Sequence, residues 1–135
     1  LLRHIKTNEF EKFNILIQSF SYKRGLPRNL DMVFDSRFLK NPFWQKHLRE
    51  LDGNSESVKQ YVMDMPEFHT FLGKLNSMIK FLIPLFQKEG KTQFSLGIGC
   101  TGGKHRSVVV VNELAKLLES MNKIVLVKHR DVNIE

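Results

Sequence analysis

The spacing of apolar residues along the chain predicts four short strands. Phe94, Leu96 and Ile98 alternate with small or polar residues, which is the period of two of a β-strand. Three further apolar segments have the length and composition of strands. They span residues 14–20, 32–38 and 123–128, and the last of them is expected to be buried.

Longer apolar stripes predict helices between these strands. After Ser107, apolar side chains recur at helical spacing as far as Leu118. Pro66 suits the first position of a long, aromatic-rich helix that ends at residues 89–90. Two shorter helices are expected near residues 45–51 and, with Ser55 or Ser57 as the cap, up to Met63.

The order of these elements predicts the fold class. Residues 93–128 follow a strand–helix–strand order, which implies a right-handed crossover and a largely parallel sheet. We therefore expect an α/β domain with a mostly parallel sheet flanked by helices. Its central feature is the strand–loop–helix that begins at Gln93.

The loop inside this strand–loop–helix predicts a phosphate site. Lys104, His105 and Arg106 stand at a helix start, where unpaired N–H groups carry partial positive charge. A cation there opposes the helix dipole, so Arg106 indicates a bound anion. Four glycines crowd the same turn and suit a close approach of the backbone or a positive φ: Gly97, Gly99, Gly102 and Gly103.

Two known nucleotide-binding patterns do not match this loop. A Walker A loop fails because Ile98 stands where its first glycine belongs, and because His105 follows Lys104 in place of Ser or Thr. A dinucleotide fingerprint needs an acidic residue at the end of a second strand, about twenty residues on. Glu119 lies inside the predicted helix, so this interpretation is weak.

A third pattern keeps an enzymatic alternative open. Cys100, Arg106 and Ser107 satisfy Cys-x5-Arg-Ser, in which a thiolate of lowered pKa attacks phosphorus and the Arg holds the phosphate oxygens. Cys100 is then the candidate nucleophile of a Cys-dependent phosphatase. Asp35 and Asp131 are its candidate general acids. A lone cysteine is more often a small buried hydrophobic residue than a nucleophile.

Composition and charge indicate the class of partner and the compartment. The 135 residues carry a net charge of +7, which favours anionic partners such as phosphorylated metabolites or RNA. One cysteine excludes an intrachain disulfide and suits a reducing cytoplasm. No apolar run has the length of a membrane span, so no membrane partner is expected. The histidines lack ligand spacing, and we expect no metal site.

A cluster of basic residues near the last strand has two interpretations. It either marks an edge that faces RNA or is a solvated strand end, which is the more ordinary case. The candidate RNA-facing residues are Lys123, Lys128, His129 and Arg130.

Four ordered blocks of sequence carry a family resemblance. They are Ser19-Phe-Ser-Tyr-Lys-Arg-Gly-Leu-Pro27, Val33-Phe-Asp-Ser-Arg-Phe-Leu-Lys-Asn-Pro42, Gly97-Ile-Gly-Cys-Thr-Gly-Gly-Lys-His-Arg-Ser-Val108 and His129-Arg-Asp131. In these blocks the chain resembles the C-terminal domain of the RapZ family of RNase adapters, also called the YvcJ family of bacterial nucleotide-binding proteins. Residues 13–135 would form this domain, and residues 1–12 a linker or the end of a preceding domain.

The resemblance implies a sensory role and no enzymatic activity for this chain. It implies binding of a phosphorylated amino sugar of the glucosamine-6-phosphate type. In some members it also implies binding of small RNA, which is presented to an endoribonuclease to regulate amino-sugar synthesis. ATP and GTP binding belong to a separate N-terminal P-loop domain of the family, so no cofactor is expected here. A homo-oligomer is also expected.

The resemblance also implies the residues of the sugar-phosphate site. In one block, Asp35 either accepts sugar hydroxyls or forms an ordinary ion pair with Arg37. The chain departs from the family pattern at Phe43, where binding members carry His, and at residues 131–135, which replace a basic tail of RNA-binding members. The implied site residues are Thr101, Gly102, Gly103, Arg106, Asp35, Arg37 and Asn41. The basic loop residues Lys104 and His105 complete the predicted site.

Overall fold

A computed structural model describes residues 13–133, so the linker expected at residues 1–12 lies outside the described residues. The strands are β1 (Asn14–Ser21), β2 (Met32–Asp35), β3 (Gln93–Cys100) and β4 (Ile124–His129). The α-helices are α1 (Lys46–Arg49), α2 (Glu56–Met63), α3 (Pro66–Lys88) and α4 (Arg106–Glu119), and 3-10 turns lie at Tyr22–Arg24 and Pro42–Trp44.

The four strands form one sheet in the order β2-β3-β1-β4, and every pair is parallel. This confirms the predicted α/β class. The register pairs Ser21 with Cys100, Asp35 with Gly99 and Ser19 with His129. The carboxyl ends of all four strands therefore meet at one edge of the sheet, which is where ligands bind in open parallel α/β sheets.

The core lies between the sheet and the helices. Alternate residues of β3 point into it, and Phe86 of α3 stacks on Phe94 with ring centroids 5.2 Å apart. Helix α4 buries the four consecutive valines of residues 108–111, which cannot share one helix face. They are buried because α4 contacts the sheet on one side and α2 and α3 on the others. Packing thus outweighs the weak helix preference of β-branched residues.

The long helix begins and ends as its sequence predicts. Pro66 is its first residue, and the chain leaves it through Glu89 and Gly90, whose φ is +89°. Five apolar side chains of α3 are buried, and burying each contributes about 1.5–3 kcal/mol. They are Phe68, Leu72, Leu75, Ile79 and Ile83.

Two predicted strands differ from the structure. Strand β2 ends at Asp35 and not at Phe38. The Ser36 N–H makes the last bond to the sheet, to Gly99 O, and the Arg37 N–H then donates to Asp35 Oδ1, which forms a turn. The last strand is not buried. β4 lies at the edge of the sheet, and Leu126 and Val127 are 48% and 44% exposed.

Two of the four glycines assigned to the turn lie inside β3. A Cβ on Gly99 would stand 2.6 Å from the rings of Phe20 and Tyr22, and one on Gly97 would stand 2.7 Å from Leu30. These glycines leave room for the side chains of Phe20, Tyr22 and Leu30. Their role is packing rather than positive φ.

Candidate anion-binding cleft

The loop between β3 and α4 is held against the end of β1. Gly103 has a φ of +67°, and a Cβ there would stand 2.8 Å from Ser21 N and 3.0 Å from Asp131. The Ser21 hydroxyl donates to Thr101 O at 2.7 Å. Only glycine combines this conformation with this close approach, so Gly103 allows the loop to close over the strand end.

The same loop is fastened to the segment after α1. Gly53 N donates to Lys104 O at 2.9 Å, and His105 Nε2 lies 3.2 Å from Arg49 O. A Cβ on Gly53 would stand 2.6 Å from both His105 O and Val108 Cβ. Two elements far apart in sequence therefore support the loop.

Arg106 is buried at the start of α4, with 6% of its surface exposed. Its NH1 group donates to Arg37 O at 2.7 Å and Leu39 O at 3.2 Å, and NH2 donates to Thr101 Oγ1 at 3.3 Å. A positive charge at a helix start opposes the helix dipole, and these carbonyl oxygens offset that cost without requiring an anion to do so alone. Arg106 thus joins the segment after β2 to the loop while lining the cleft.

The backbone at this helix start has unused donors. The N–H groups of residues 102–108 make no hydrogen bond to an acceptor within residues 13–133. His105, Ser107 and Val108 are nonetheless buried, and His105 provides no side-chain cap. A row of N–H groups at a helix start that no protein acceptor uses is suited to an anion.

A cleft of about 780 Å³ opens beside the loop at the carboxyl edge of the sheet. This volume lies in the range of small-molecule sites. Of the predicted site residues, Asn41 and all loop residues except Gly103 line it, together with residues that the sequence did not indicate. The lining residues are Ser21, Lys23, Arg24, Asn41, Phe43, Trp44, Arg49, Glu50, Cys100, Thr101, Gly102, Lys104, His105 and Arg106.

Asp35 and Arg37 lie outside the lining of this cleft. Arg37 donates to both carboxylate oxygens of Asp35, with distances of 2.7–3.0 Å, and its guanidinium lies 4.2 Å from the centroid of the Tyr22 ring. The hydrogen bonds from Arg37 lower the pKa of Asp35. Of the two interpretations of Asp35, the structure shows the ion pair.

The cleft has an aromatic side that sequence reasoning did not identify. Asn41 Oδ1 accepts from Phe43 N and so caps the turn that presents Phe43 and Trp44. Trp44 is 72% exposed and packs edge-on against Phe43. Arg49 lies over the Phe43 ring at 4.8 Å and donates to Phe43 O. The sequence feature that could have indicated this aromatic side is the pair of adjacent aromatic residues in a three-residue turn, because so short a turn cannot bury both side chains.

Cys100 lies at the end of β3 and is 2% exposed. Its Sγ is 3.1 Å from Ser107 Oγ. Asp131, one candidate general acid, is buried under the loop and ion-paired with Arg130, and Asp35 is paired with Arg37. The residues that a Cys-dependent phosphatase would use are therefore present, but each of them contacts another side chain of the domain.

The basic cluster near β4 is divided between the interior and the surface. Arg130 donates to Asp131 and to Gly25 O, whereas Lys123 and Lys128 are exposed. Burial alone would raise the pKa of Asp131. The hydrogen bonds from Arg130 and from Ser21 N, with the nearby positive charges, outweigh burial and lower it.

His129 is part of a polar network that links β4 to β1 and α4. Asn112 Nδ2 donates to Asn54 Oδ1, so Asn112 Oδ1 is left to accept from His129 Nε2 at 2.9 Å. The Ser19 hydroxyl then donates to His129 Nδ1 at 2.7 Å. Both bonds are satisfied by the neutral imidazole, and burial lowers the pKa of His129.

Acidification below pH 6.5 is expected to destabilise the domain. Burial lowers the pKa values of His105 and His129 below the usual 6.5. The folded state then binds fewer protons than the unfolded state, so this stability is complete above pH 6.5 and is lost as pH falls through the lowered values. Urea denaturation at pH 7.5 and 5.5 measures the effect.

The His129→Gln variant should show a flatter dependence on pH than the unmodified chain. His47→Gln, which removes an exposed histidine, is the matched control and should leave the dependence unchanged. A stability that is the same at both pH values in the unmodified chain contradicts the assignment of neutral, buried imidazoles.

Within residues 13–133, no group of three His, Cys, Asp or Glu side chains is placed to hold a metal ion. No helix in this part of the chain is both long and apolar enough to cross a bilayer.

The fold and the cleft define a parallel α/β domain with an open cleft at the carboxyl ends of the strands. Comparison with known families identifies which one. The RapZ C-terminal domain family matches residues 13–133, and the chain belongs to this family.

Curated relatives agree with this assignment. A nucleotide-binding protein of Caldanaerobacter subterraneus subsp. tengcongensis is 51% identical over 131 residues, covering 97% of this chain and 46% of the relative. One from Heliobacterium modesticaldum is 45% identical over 140 residues, with the same coverage of each chain. One from Cereibacter sphaeroides is 48% identical over 118 residues, covering 87% and 39%. The chain thus spans just under half the length of these relatives.

Proposed function

We propose that this domain is the sensory part of an RNase adapter of the RapZ type, and that its cleft binds a phosphorylated amino sugar of the glucosamine-6-phosphate class. The observation that carries the proposal is the row of unused N–H donors at residues 102–108. A phosphate supplies acceptors for several such donors at once, and the positive end of α4 stabilises its charge. Lys104 and Arg106 line the same cleft and add cationic side chains.

The aromatic side of the cleft supports a ligand with a ring. Trp44 and Phe43 are exposed beside the phosphate loop, and stacking on a sugar ring would cover apolar surface that now faces water. Phe43 stands where binding members of the family carry His, so the ring contact here would be apolar rather than hydrogen-bonded. The cleft volume of about 780 Å³ accommodates a hexose phosphate.

Replacing Gly102 with valine is expected to weaken phosphosugar binding at least tenfold without loss of stability. A Cβ at Gly102 meets nothing within 4 Å, and the residue lines the cleft, so the new side chain occupies the space of the ligand. Calorimetry with glucosamine-6-phosphate measures binding, and thermal denaturation measures stability.

Controls for this test separate the phosphate from the sugar. Glucosamine without phosphate should neither bind measurably nor raise the melting temperature of the unmodified chain. Equal affinity of the unmodified chain and Gly102→Val for glucosamine-6-phosphate would place the ligand elsewhere and contradict the proposal.

RNA binding by this domain is the second candidate function. Lys123 and Lys128 are exposed, one just before the edge strand and the other near its end, and the net charge is +7. Such a surface attracts RNA electrostatically and with strong dependence on salt. His129 and Arg130 are engaged within the domain, which leaves few residues for recognition of sequence. Presentation of a small RNA to an endoribonuclease would then depend on oligomerisation or on the other half of such an adapter.

Cys100 is expected to have no catalytic role. Its thiol is buried against Ser107, and no unpaired carboxyl among the candidate acids faces it, so phosphate monoesters should not be hydrolysed. Incubation with a generic monoester such as p-nitrophenyl phosphate measures turnover. Hydrolysis that disappears in Cys100→Ser would overturn this expectation and favour the phosphatase.

A further inference from the structure

The cleft carries one negative side chain among several positive ones. Lys23, Arg24, Arg49, Lys104 and Arg106 all line it, and the single acidic residue among its described lining is Glu50. A site that binds only phosphate gains nothing from a carboxylate, because the two negative charges repel each other. The mixed lining therefore suits a ligand that carries charges of both signs.

The Glu50 side chain is available to a ligand. It is exposed, and it forms no ion pair or side-chain hydrogen bond with another residue in the part of the chain that the structure describes. Its neighbour Arg49 does not pair with it, since the Arg49 guanidinium lies over Phe43 and donates to Phe43 O. Glu50 thus remains an unpaired carboxylate beside strong cations.

The backbone on both sides of Glu50 is tied to the phosphate loop. Arg49 O lies 3.2 Å from His105 Nε2, and Gly53 N donates to Lys104 O at 2.9 Å. The Glu50 N–H itself bonds Leu48 O at the end of α1. These bonds hold the origin of the Glu50 side chain at a set position relative to the row of N–H donors.

We propose that Glu50 receives a cationic substituent of the bound phosphate ester and so selects an aminated sugar phosphate over its neutral counterpart. This assignment rests on the proposed function of the cleft. A protonated amine donates charge-assisted hydrogen bonds to the carboxylate, whereas a hydroxyl or an acetamide does not offer a charge. The pair stays partly open to water, so the preference is about three- to tenfold.

A general electrostatic role of Glu50 makes a different prediction. If the carboxylate only reduced the positive potential of the cleft, its removal would raise the affinity for every phosphate ester by a similar factor. If Glu50 selects the aminated ester, removal of its carboxylate should lower the affinity for that ester and should not lower the affinity for the neutral esters.

The test measures dissociation constants for glucosamine-6-phosphate, glucose-6-phosphate and N-acetylglucosamine-6-phosphate by calorimetry at pH 7. The unmodified chain should favour the first by about three- to tenfold. Glu50→Gln should abolish this preference while binding glucose-6-phosphate at least as well as before. Glu89→Gln, which changes an exposed glutamate at the end of α3, is the matched control and should retain the preference.

The possible failures are distinguishable. Binding of the esters with a preference that persists in Glu50→Gln overturns the role of Glu50 and leaves the proposed function intact. An equal gain in affinity for all three esters in Glu50→Gln assigns it the general electrostatic role instead. Absence of binding by all three esters to the unmodified chain overturns the proposed function and this assignment with it.

Discussion

Replacing Arg106 with alanine is expected to weaken phosphate binding by about tenfold or more and to lower the stability of the domain by about 2–4 kcal/mol. The guanidinium is buried and donates to Arg37 O, Leu39 O and Thr101 Oγ1. Its removal leaves these acceptors without a donor and releases the segment after β2 from the loop. The loss of a charge-assisted contact to phosphate weakens the free energy of binding by about 1.5–3 kcal/mol. Urea denaturation and calorimetry measure the two effects.

Two further variants separate these effects. Arg106→Lys keeps the charge but loses the planar fork that reaches two carbonyls, so it should recover only part of both properties. Lys104→Ala is the matched control, because Lys104 lines the cleft and its side chain makes no hydrogen bond with a described residue. It should weaken binding and leave stability nearly unchanged. Unaltered phosphate affinity in Arg106→Ala would show that Arg106 is purely structural.

Gly53→Ala is expected to destabilise the domain by about 2–3 kcal/mol, although it adds a single methyl group. That methyl would stand 2.6 Å from His105 O and 2.6 Å from Val108 Cβ, and neither the loop nor the buried helix can move without breaking other contacts. The segment after α1 would have to separate from the loop and lose the bond from Gly53 N to Lys104 O. Denaturation by urea measures the loss.

Gly73→Ala is the matched comparison for this substitution. Gly73 is an exposed residue inside α3, and a Cβ there meets nothing within 4 Å. Alanine should stabilise the helix by about 0.5–1 kcal/mol. If the two substitutions had similar effects, the close packing of the loop on Gly53 would not be a significant source of stability.

The loop between β3 and α4 is held by segments that are far apart in the sequence. Ser21 from β1, Arg106 from α4 and Gly53 after α1 each hold it by hydrogen bonds. A loop held from several sides keeps its N–H donors oriented before a ligand arrives, so little ordering is needed on binding. The same arrangement explains why substitutions at Arg106 and Gly53 should affect stability as well as affinity.

Much of the site was predictable because its parts are local in sequence. The glycines, the basic residues and the helix start fall within one short stretch, and strand–loop–helix geometry follows from the spacing of apolar residues. The loop residues other than Gly103 line the cleft, and so does Asn41. Gly97 and Gly99 were misassigned to the turn, because a glycine in a strand that packs against an aromatic ring has the same local signature as a glycine in a loop.

Other parts of the site depend on contacts between segments that the sequence does not relate. Glu50 and Trp44 join the cleft only because Arg49 O and Gly53 N bond the loop. Asp35 and Arg37 were expected in the site but pair with each other beside Tyr22. Side chains on either side of a turn can point in several directions, and only packing selects one.

By itself, the sequence determined the α/β class, the parallel direction of the strands flanking α4 and the resemblance to the RapZ C-terminal domain, and it predicted an anion site at the loop. These properties follow from residue periodicity and from motifs a few residues long, which act locally. The tertiary structure alone decided that Arg106 is held by main-chain carbonyls, that β4 is an exposed edge, and that Glu50 faces the cleft. Those outcomes depend on which distant segments meet, and the meeting is set by the packing of the whole core rather than by any one stretch of the chain.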